Sequence, residues 1–101
     1  MLNKLIIPCV IILLSACSQT PNNEKVSEAI KPIMPPDFKI ISVNPVSEFP
    51  GVYEVSLTMN KQPAIVYINK KGTHVLSGSL LELATKKNIT IEAQNKIKVQ
   101  P

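Results

Sequence analysis

Thiols are the most reactive side chains of this 101-residue chain, which has only two of them, Cys9 and Cys17. Both lie near its start, where the positive side chain of Lys4 precedes an apolar run of ten residues at positions 5–14. This run is too short to cross the hydrocarbon core of a bilayer, which takes about 20 apolar residues. A basic residue, a short apolar run and small residues in this order are typical of a secretory signal.

The tetrapeptide LSAC at positions 14–17 places a branched apolar residue and two small residues before a thiol. It resembles the lipobox of bacterial lipoprotein precursors, whose cysteine receives a diacylglycerol before the signal is cut off. The resemblance implies a signal peptide at residues 1–16, lipidation of Cys17 and a tether at residues 17–23. Two or three acyl chains hold a protein on a membrane without spanning it. An aspartate directly after the lipidated cysteine would resemble the signal that retains enterobacterial lipoproteins in the inner membrane. Ser18 stands at this place instead, so we expect a location in the cell envelope on the periplasmic face of the outer membrane. The alternative interpretation is that Cys17 is an ordinary free thiol.

The remaining candidates for chemistry are one histidine, His74, and seven scattered carboxylates, which do not form a usual zinc ligand set. If Cys9 leaves with the signal and Cys17 is acylated, no free thiol remains for catalysis or for a disulfide. The glycine patterns of nucleotide-binding sites and of serine hydrolases do not occur either. We therefore predict no catalytic residue, no cofactor and no metal site, and expect that the protein is not an enzyme.

The charged side chains are eleven lysines against seven carboxylates, with no arginine and no tryptophan. Surfaces that bind nucleic acid rely on arginine and on aromatic stacking, so we predict no nucleic-acid partner. The dispersed lysines indicate a solvated surface with a weak attraction to anionic lipid head groups.

The elements that would position these residues begin after the polar segment at residues 18–23. Asn22 or Asn23 can cap a helix that Pro35 and Pro36 would end. Its apolar side chains recur at helical spacing and are Val26, Ala29, Ile30 and Ile33.

From residue 38 onward the apolar period changes to two, which is typical of strands. The run at 64–68 is continuously apolar and is expected to be covered on both faces, whereas the alternating strand before it is expected to be half-buried. Strands are predicted at residues 38–43, 53–59, 64–68 and 74–78, with a last short one at 89–92. Leu80, Leu81 and Leu83 are expected to form a compact apolar cluster. The predicted fold is α+β, with one N-terminal helix packed on a four- to five-stranded antiparallel meander.

This order of elements carries a family resemblance, strongest in IVYI at 65–68 and KGTHVLSGSLLEL at 71–83. Together they resemble the N-terminal dimerisation domain of the DsbC/DsbG periplasmic disulfide isomerases, with Gly72, His74 and Gly78 at the places of that family's glycine and histidine pattern. The resemblance implies a cystatin-like fold, here at residues 24–101, and a homodimer formed by pairing of edge strands. The interface residues that it implies are His74, Gly78, Val66 and Ile68.

The isomerases continue into a thioredoxin-like domain with a Cys-x-x-Cys pair, which this sequence lacks, so disulfide exchange is not expected. Taken alone, His74 is more simply an exposed structural residue, and Gly78 a bulge or turn residue.

Two functions stay open. One is a non-catalytic, membrane-tethered dimerisation or protein-binding module of the bacterial cell envelope, with a periplasmic protein as a possible partner. The other is a small structural lipoprotein of a secretion or conjugation apparatus.

Overall fold

The computed structural model describes residues 20–97. The predicted signal peptide, the lipidation site Cys17 and part of the predicted tether lie outside the described residues. Within residues 20–97, no helix is both long and apolar enough to cross a membrane.

Helix α1 spans Asn23–Ile30, and Asn22 caps it as predicted. The side-chain Oδ1 of Asn22 accepts a hydrogen bond from the backbone N–H of Lys25 at 2.7 Å, which satisfies one of the free donors of the first turn. A 3₁₀ turn at Lys31–Ile33 follows directly. The prediction that Ile33 belongs to the buried stripe is wrong, since its side chain is 66% exposed. The tighter turn rotates this residue away from the face that α1 buries.

A four-stranded antiparallel sheet follows in the order β1-β2-β3-β4, which confirms the predicted α+β meander. Strands β2 and β3 pair over their full length, from Val52 opposite Asn69 to Met59 opposite Gln62. The pairing of β1 with β2 shifts between Ile40 and Ser42. The strands are β1 (Lys39–Pro45), β2 (Val52–Met59), β3 (Gln62–Asn69) and β4 (Val75–Leu76).

The sheet buries side chains on both of its faces. On one face, α1 packs through Val26 and Ile30 against a cluster that includes Leu57. On the other face, a second cluster contains Ile65 and Tyr67. Alternate residues of β3 thus point into two different cores. This confirms the prediction that the apolar run at 64–68 is covered on both faces.

The C-terminal part differs from the prediction. Strands β5 (Leu81–Glu82) and β6 (Lys87–Asn88) form a separate hairpin, and α2 (Ile89–Asn95) is a helix where a strand was expected. Asn88 caps α2, because its Oδ1 accepts from the Ile91 N–H at 2.9 Å. The hairpin holds the side chains of Leu81 and Leu83 in solvent, so the predicted apolar cluster does not form.

Candidate interaction site

The turn that leads from β3 to β4 is fixed by the side chain of Asn69. Its Oδ1 accepts the backbone N–H groups of Thr73 and His74, each at 2.9 Å, and its Nδ2 donates to Thr73 Oγ1 at 2.8 Å. The same Thr73 oxygen lies 2.8 Å from Nδ1 of His74. Gly72 takes φ +73° here, a left-handed conformation that glycine adopts without strain. The sequence-predicted His74 therefore stands exposed at the start of β4, held by a polar turn.

The other residues implied by the resemblance fall in two different environments. Gly78 is exposed two residues after β4, with φ +153°. Val66 and Ile68 are only 6% and 2% exposed, because both pack in the core under α1. Both side chains are thus buried within the single chain, and the expectation that these residues lie at a dimer interface stays a prediction.

Strand β3 is much longer than the strand beside it. β4 pairs only with Tyr67 and Ile68, and no other described strand continues this side of β3. Because the Asn69 N–H donates to the His74 carbonyl, backbone groups of alternate residues along β3 point to the same side. Ile65 is one of these residues, so its N–H and carbonyl point to the side of β3 on which β4 lies, at a position that β4 does not reach. At the far end, Gln94 Nε2 of α2 donates to the Pro63 carbonyl at 3.2 Å. The sheet thus has an incompletely paired edge beside β4.

An apolar groove of about 340 Å³ runs beside β4, and we name it the β4 groove. Leu76 stands at its margin with a side chain that is 67% exposed, and Phe49 opposite is also exposed. Large apolar side chains left together in solvent are typical of a surface that binds another protein. The lining residues are Val46, Phe49, Val52, Tyr67, Leu76, Ser77, Gly78, Ser79 and Leu80.

A buried polar contact supports the floor of this groove. Tyr67 Oη and Thr90 Oγ1 lie 2.5 Å apart, and the same Thr90 oxygen accepts the Leu80 N–H at 2.9 Å. Burial raises the pKa of the Tyr67 hydroxyl, and the negative charge of Glu54 raises it further, whereas the hydrogen bond with Thr90 acts in the opposite direction. Sequence reasoning missed Thr90, because it placed this residue on a strand.

The described residues offer little else for chemistry. Both cysteines of the chain precede residue 20. Among residues 20–97, no three side chains of the histidine, cysteine, aspartate or glutamate type are grouped to hold a metal ion. What the described residues do offer is an incompletely paired strand edge next to exposed apolar side chains, a kind of surface to which a polypeptide strand can be added.

The chain was compared with known protein families, curated proteins and solved structures. One family model, described as the disulfide bond isomerase protein N-terminal domain, matches residues 17–91. The matched range includes α1, the whole four-stranded sheet and the β5–β6 hairpin, and it covers more than half of the chain. No curated protein and no solved structure gave a significant match.

Proposed function

The chain belongs to the family of the disulfide bond isomerase protein N-terminal domain, and on this premise we propose that it is a non-catalytic, membrane-tethered pairing module of the bacterial cell envelope. Its partner is a second copy of the chain, bound through the edge of the sheet beside β4. The observation that carries this proposal is the incomplete pairing of β3. Two of its eight residues pair with β4, and the rest of that side has no neighbouring strand among the described residues.

The opposite edge of the sheet is poorly suited to strand pairing. β1 begins with Lys39 and ends with Pro45, and its register shifts between Ile40 and Ser42. A charged side chain, a proline without an N–H and a bulge are three devices that discourage pairing at an edge. The contrast between the two edges favours the β4 side as the one that a partner strand can join.

The β4 groove adds apolar contact to the hydrogen bonds of an edge. In a two-fold arrangement each copy presents the same patch, so Leu76 and Phe49 of one copy would contact the corresponding surface of the other. Exposed Gly78 lines this groove and exposed His74 lies two residues before Leu76 in the chain, while Val66 and Ile68 hold β3 in the core under α1. This arrangement supports the interface that the family resemblance implies, with Leu76 in place of the two buried residues as the contacting side chain.

The non-catalytic and membrane-tethered parts of the proposal come from the sequence. Disulfide exchange needs a thiolate, and neither cysteine lies within the domain that the structure describes. The lipobox-like LSAC segment supports Cys17 as the anchor, and Ser18 after it supports a place on the periplasmic face of the outer membrane.

Sedimentation of the chain from residue 17, with Cys17→Ser, tests the proposed dimer, since this change removes none of the described residues. We expect a dimer at micromolar concentration. Leu76→Asp should give a folded monomer, because two-fold pairing brings the two aspartates close together in a partly buried seam. Ile33→Asp is the matched control, since Ile33 is 66% and Leu76 67% exposed. His74→Asp should weaken the dimer less, because an exposed carboxylate is readily hydrated.

Leu76 is a cleaner site for this test than Gly78, whose φ of +153° would strain any side chain placed there. Circular dichroism of each variant checks that the domain stays folded. A parent chain that is monomeric, or a Leu76→Asp variant that remains dimeric at the same concentration, would refute pairing through this edge.

A further inference from the structure

A second groove, of about 440 Å³, adjoins the β4 groove and shares Val46, Phe49 and Leu80 with it. We name it the acidic groove. One wall is the loop between β1 and β2, and the other is the segment that enters the β5–β6 hairpin. Its lining residues are Pro45, Val46, Ser47, Glu48, Phe49, Glu54, Leu80, Leu81, Glu82, Leu83 and Ile89.

The charge of this groove is opposite to that of the chain as a whole. Three of the seven carboxylates of the chain line it, at Glu48, Glu54 and Glu82, whereas none of the nine lysines among residues 20–97 does. The whole chain carries a net charge of +4. A cationic group would therefore find an attractive local field on a protein whose average surface repels it.

Glu54 has the least favourable surroundings of the three carboxylates. It lies at the centre of the sheet on β2 and is only partly exposed. Burial raises the pKa of its carboxyl, which the positive charge of Lys96 opposes. A cation that enters the groove would compensate this poorly solvated charge. Glu82 is held in place by a hydrogen bond of 2.6 Å, which the Thr85 hydroxyl donates to its Oε1.

Three apolar residues of the lining are exposed, whereas Val46 and Leu80 pack in the second core cluster. Leu83 is 86% exposed, and Leu81 and Phe49 are exposed as well. Apolar walls with a carboxylate rim fit side chains of two kinds, an aliphatic one and the long cationic side chain of lysine or arginine. An extended segment that lies between the two walls of the groove directs successive side chains to opposite walls, so aliphatic and cationic side chains can both contact the lining.

We propose that the acidic groove binds an extended segment of another protein in which apolar side chains alternate with lysine or arginine. This partner is distinct from the second copy that the β4 edge pairs with. The inference rests on residues that line the acidic groove and not the β4 groove, chiefly Glu54, Glu82, Leu81 and Leu83, and so does not depend on the contact that Phe49 makes in the proposed dimer.

Fluorescence anisotropy with a labelled peptide of sequence LKLKLKL tests the proposal, again on the chain from residue 17 with Cys17→Ser. Two control peptides keep one feature each: LELELEL keeps the apolar side chains without the positive charge, and SKSKSKS keeps the lysines without the apolar side chains. We expect saturable binding of the first peptide and at least tenfold weaker binding of both controls, which corresponds to about 1.4 kcal/mol. Equal binding of LKLKLKL and SKSKSKS would mean simple charge attraction and would overturn the proposal.

Paired substitutions locate the binding site. Glu54→Gln with Glu82→Gln should weaken binding of LKLKLKL about tenfold. Glu24→Gln with Glu28→Gln on α1 changes the net charge equally, at exposed positions outside the groove, and should change the affinity less than about twofold. Leu83→Ser tests the apolar wall and should weaken binding without a change in charge. Equal losses for the two glutamate pairs, or no binding by the parent, would contradict the proposal.

Sedimentation of the same variants separates this proposal from the proposed function. The variant with Glu54→Gln and Glu82→Gln should bind the peptide more weakly and remain a dimer. Leu76→Asp should be a monomer and bind the peptide like the parent. If the peptide binds only the Leu76→Asp monomer, the second copy occupies the acidic groove, and a separate partner for it is refuted.

Discussion

The Thr90 hydroxyl joins three segments that are distant in sequence, since it contacts Tyr67 Oη of β3 and accepts the Leu80 N–H while it belongs to α2 itself. Its side chain is buried, so water cannot replace these contacts. Thr90→Val keeps the shape of the side chain but removes the partner of the partly buried Leu80 N–H and of the buried Tyr67 hydroxyl. We expect this change to lower the free energy of unfolding by about 1–3 kcal/mol.

Tyr67→Phe is the matched comparison, because it removes one hydroxyl and leaves the bond between Thr90 and the Leu80 N–H in place. It should cost about 0.5–1.5 kcal/mol. Urea unfolding followed by circular dichroism measures both variants. If Thr90→Val costs no more than Tyr67→Phe, Thr90 does not hold these segments together in the way described.

At the residue scale, spacing predicted the buried side chains well where an element was regular. Val26 and Ile30 were expected on one helix face, and both are buried in the core. Ile33 was expected beside them and is exposed, because the helix tightens before it. The contact between Tyr67 and Thr90 spans 23 positions and depends on how two elements meet, which periodicity in a single sequence does not report.

At the scale of elements, the sequence predicted α1 and the order of the first four strands, whereas α2 was predicted as a strand. Three residues of α2 in succession, Ile89, Thr90 and Ile91, are β-branched and favour a strand by local preference. The cap at Asn88 and the burial of Thr90 against β3 outweigh that preference. Tertiary packing of this kind is invisible in a local pattern, so the helix was missed together with its buried hydroxyl.

The cap of α2 is testable at this scale. Asn88→Ala removes the acceptor for the Ile91 N–H, and α2 is only seven residues long, so few other bonds hold its first turn. We expect a loss of about 0.5–2 kcal/mol in the free energy of unfolding. Asn95→Ala, at the exposed end of the same helix, should change it by less than about 0.5 kcal/mol. Urea unfolding compares the two, and equal losses would show that the Asn88 cap contributes nothing specific.

At the scale of the whole molecule, the family and the fold class could be predicted from the sequence, while the burial of the predicted interface residues could not. The glycine and histidine pattern pointed to residues on either side of β4, and His74 and Gly78 are exposed there. It did not distinguish buried from exposed side chains, because Val66 and Ile68 are buried in the core while Leu76 and Phe49 are exposed. The acidic groove was not predicted, because the turn and the hairpin that line it are brought together only by folding.

The anchor proposed for Cys17 also acts on the molecule as a whole. Residues 17–22 can span at most about 20 Å before α1 begins, whatever their conformation, so a lipidated chain would keep both grooves close to the membrane. A dimer would double the number of acyl chains and hold still longer, because each buried methylene contributes about 0.8 kcal/mol. Partners would then be limited to proteins that reach the membrane surface.

Mass spectrometry of detergent-extracted protein tests this anchor. The intact mass should exceed that of residues 17–101 by one diacylglycerol and one acyl group. Cys17→Ser should leave an unprocessed precursor, since the modified thiol is what the lipobox resemblance requires before the signal is cut. Cys9→Ser is the matched control, because it alters the only other cysteine of the chain and should be processed and lipidated like the parent. A soluble, unmodified chain cut at another position would refute lipidation at Cys17, and pairing through the β4 edge would then have to operate without a membrane.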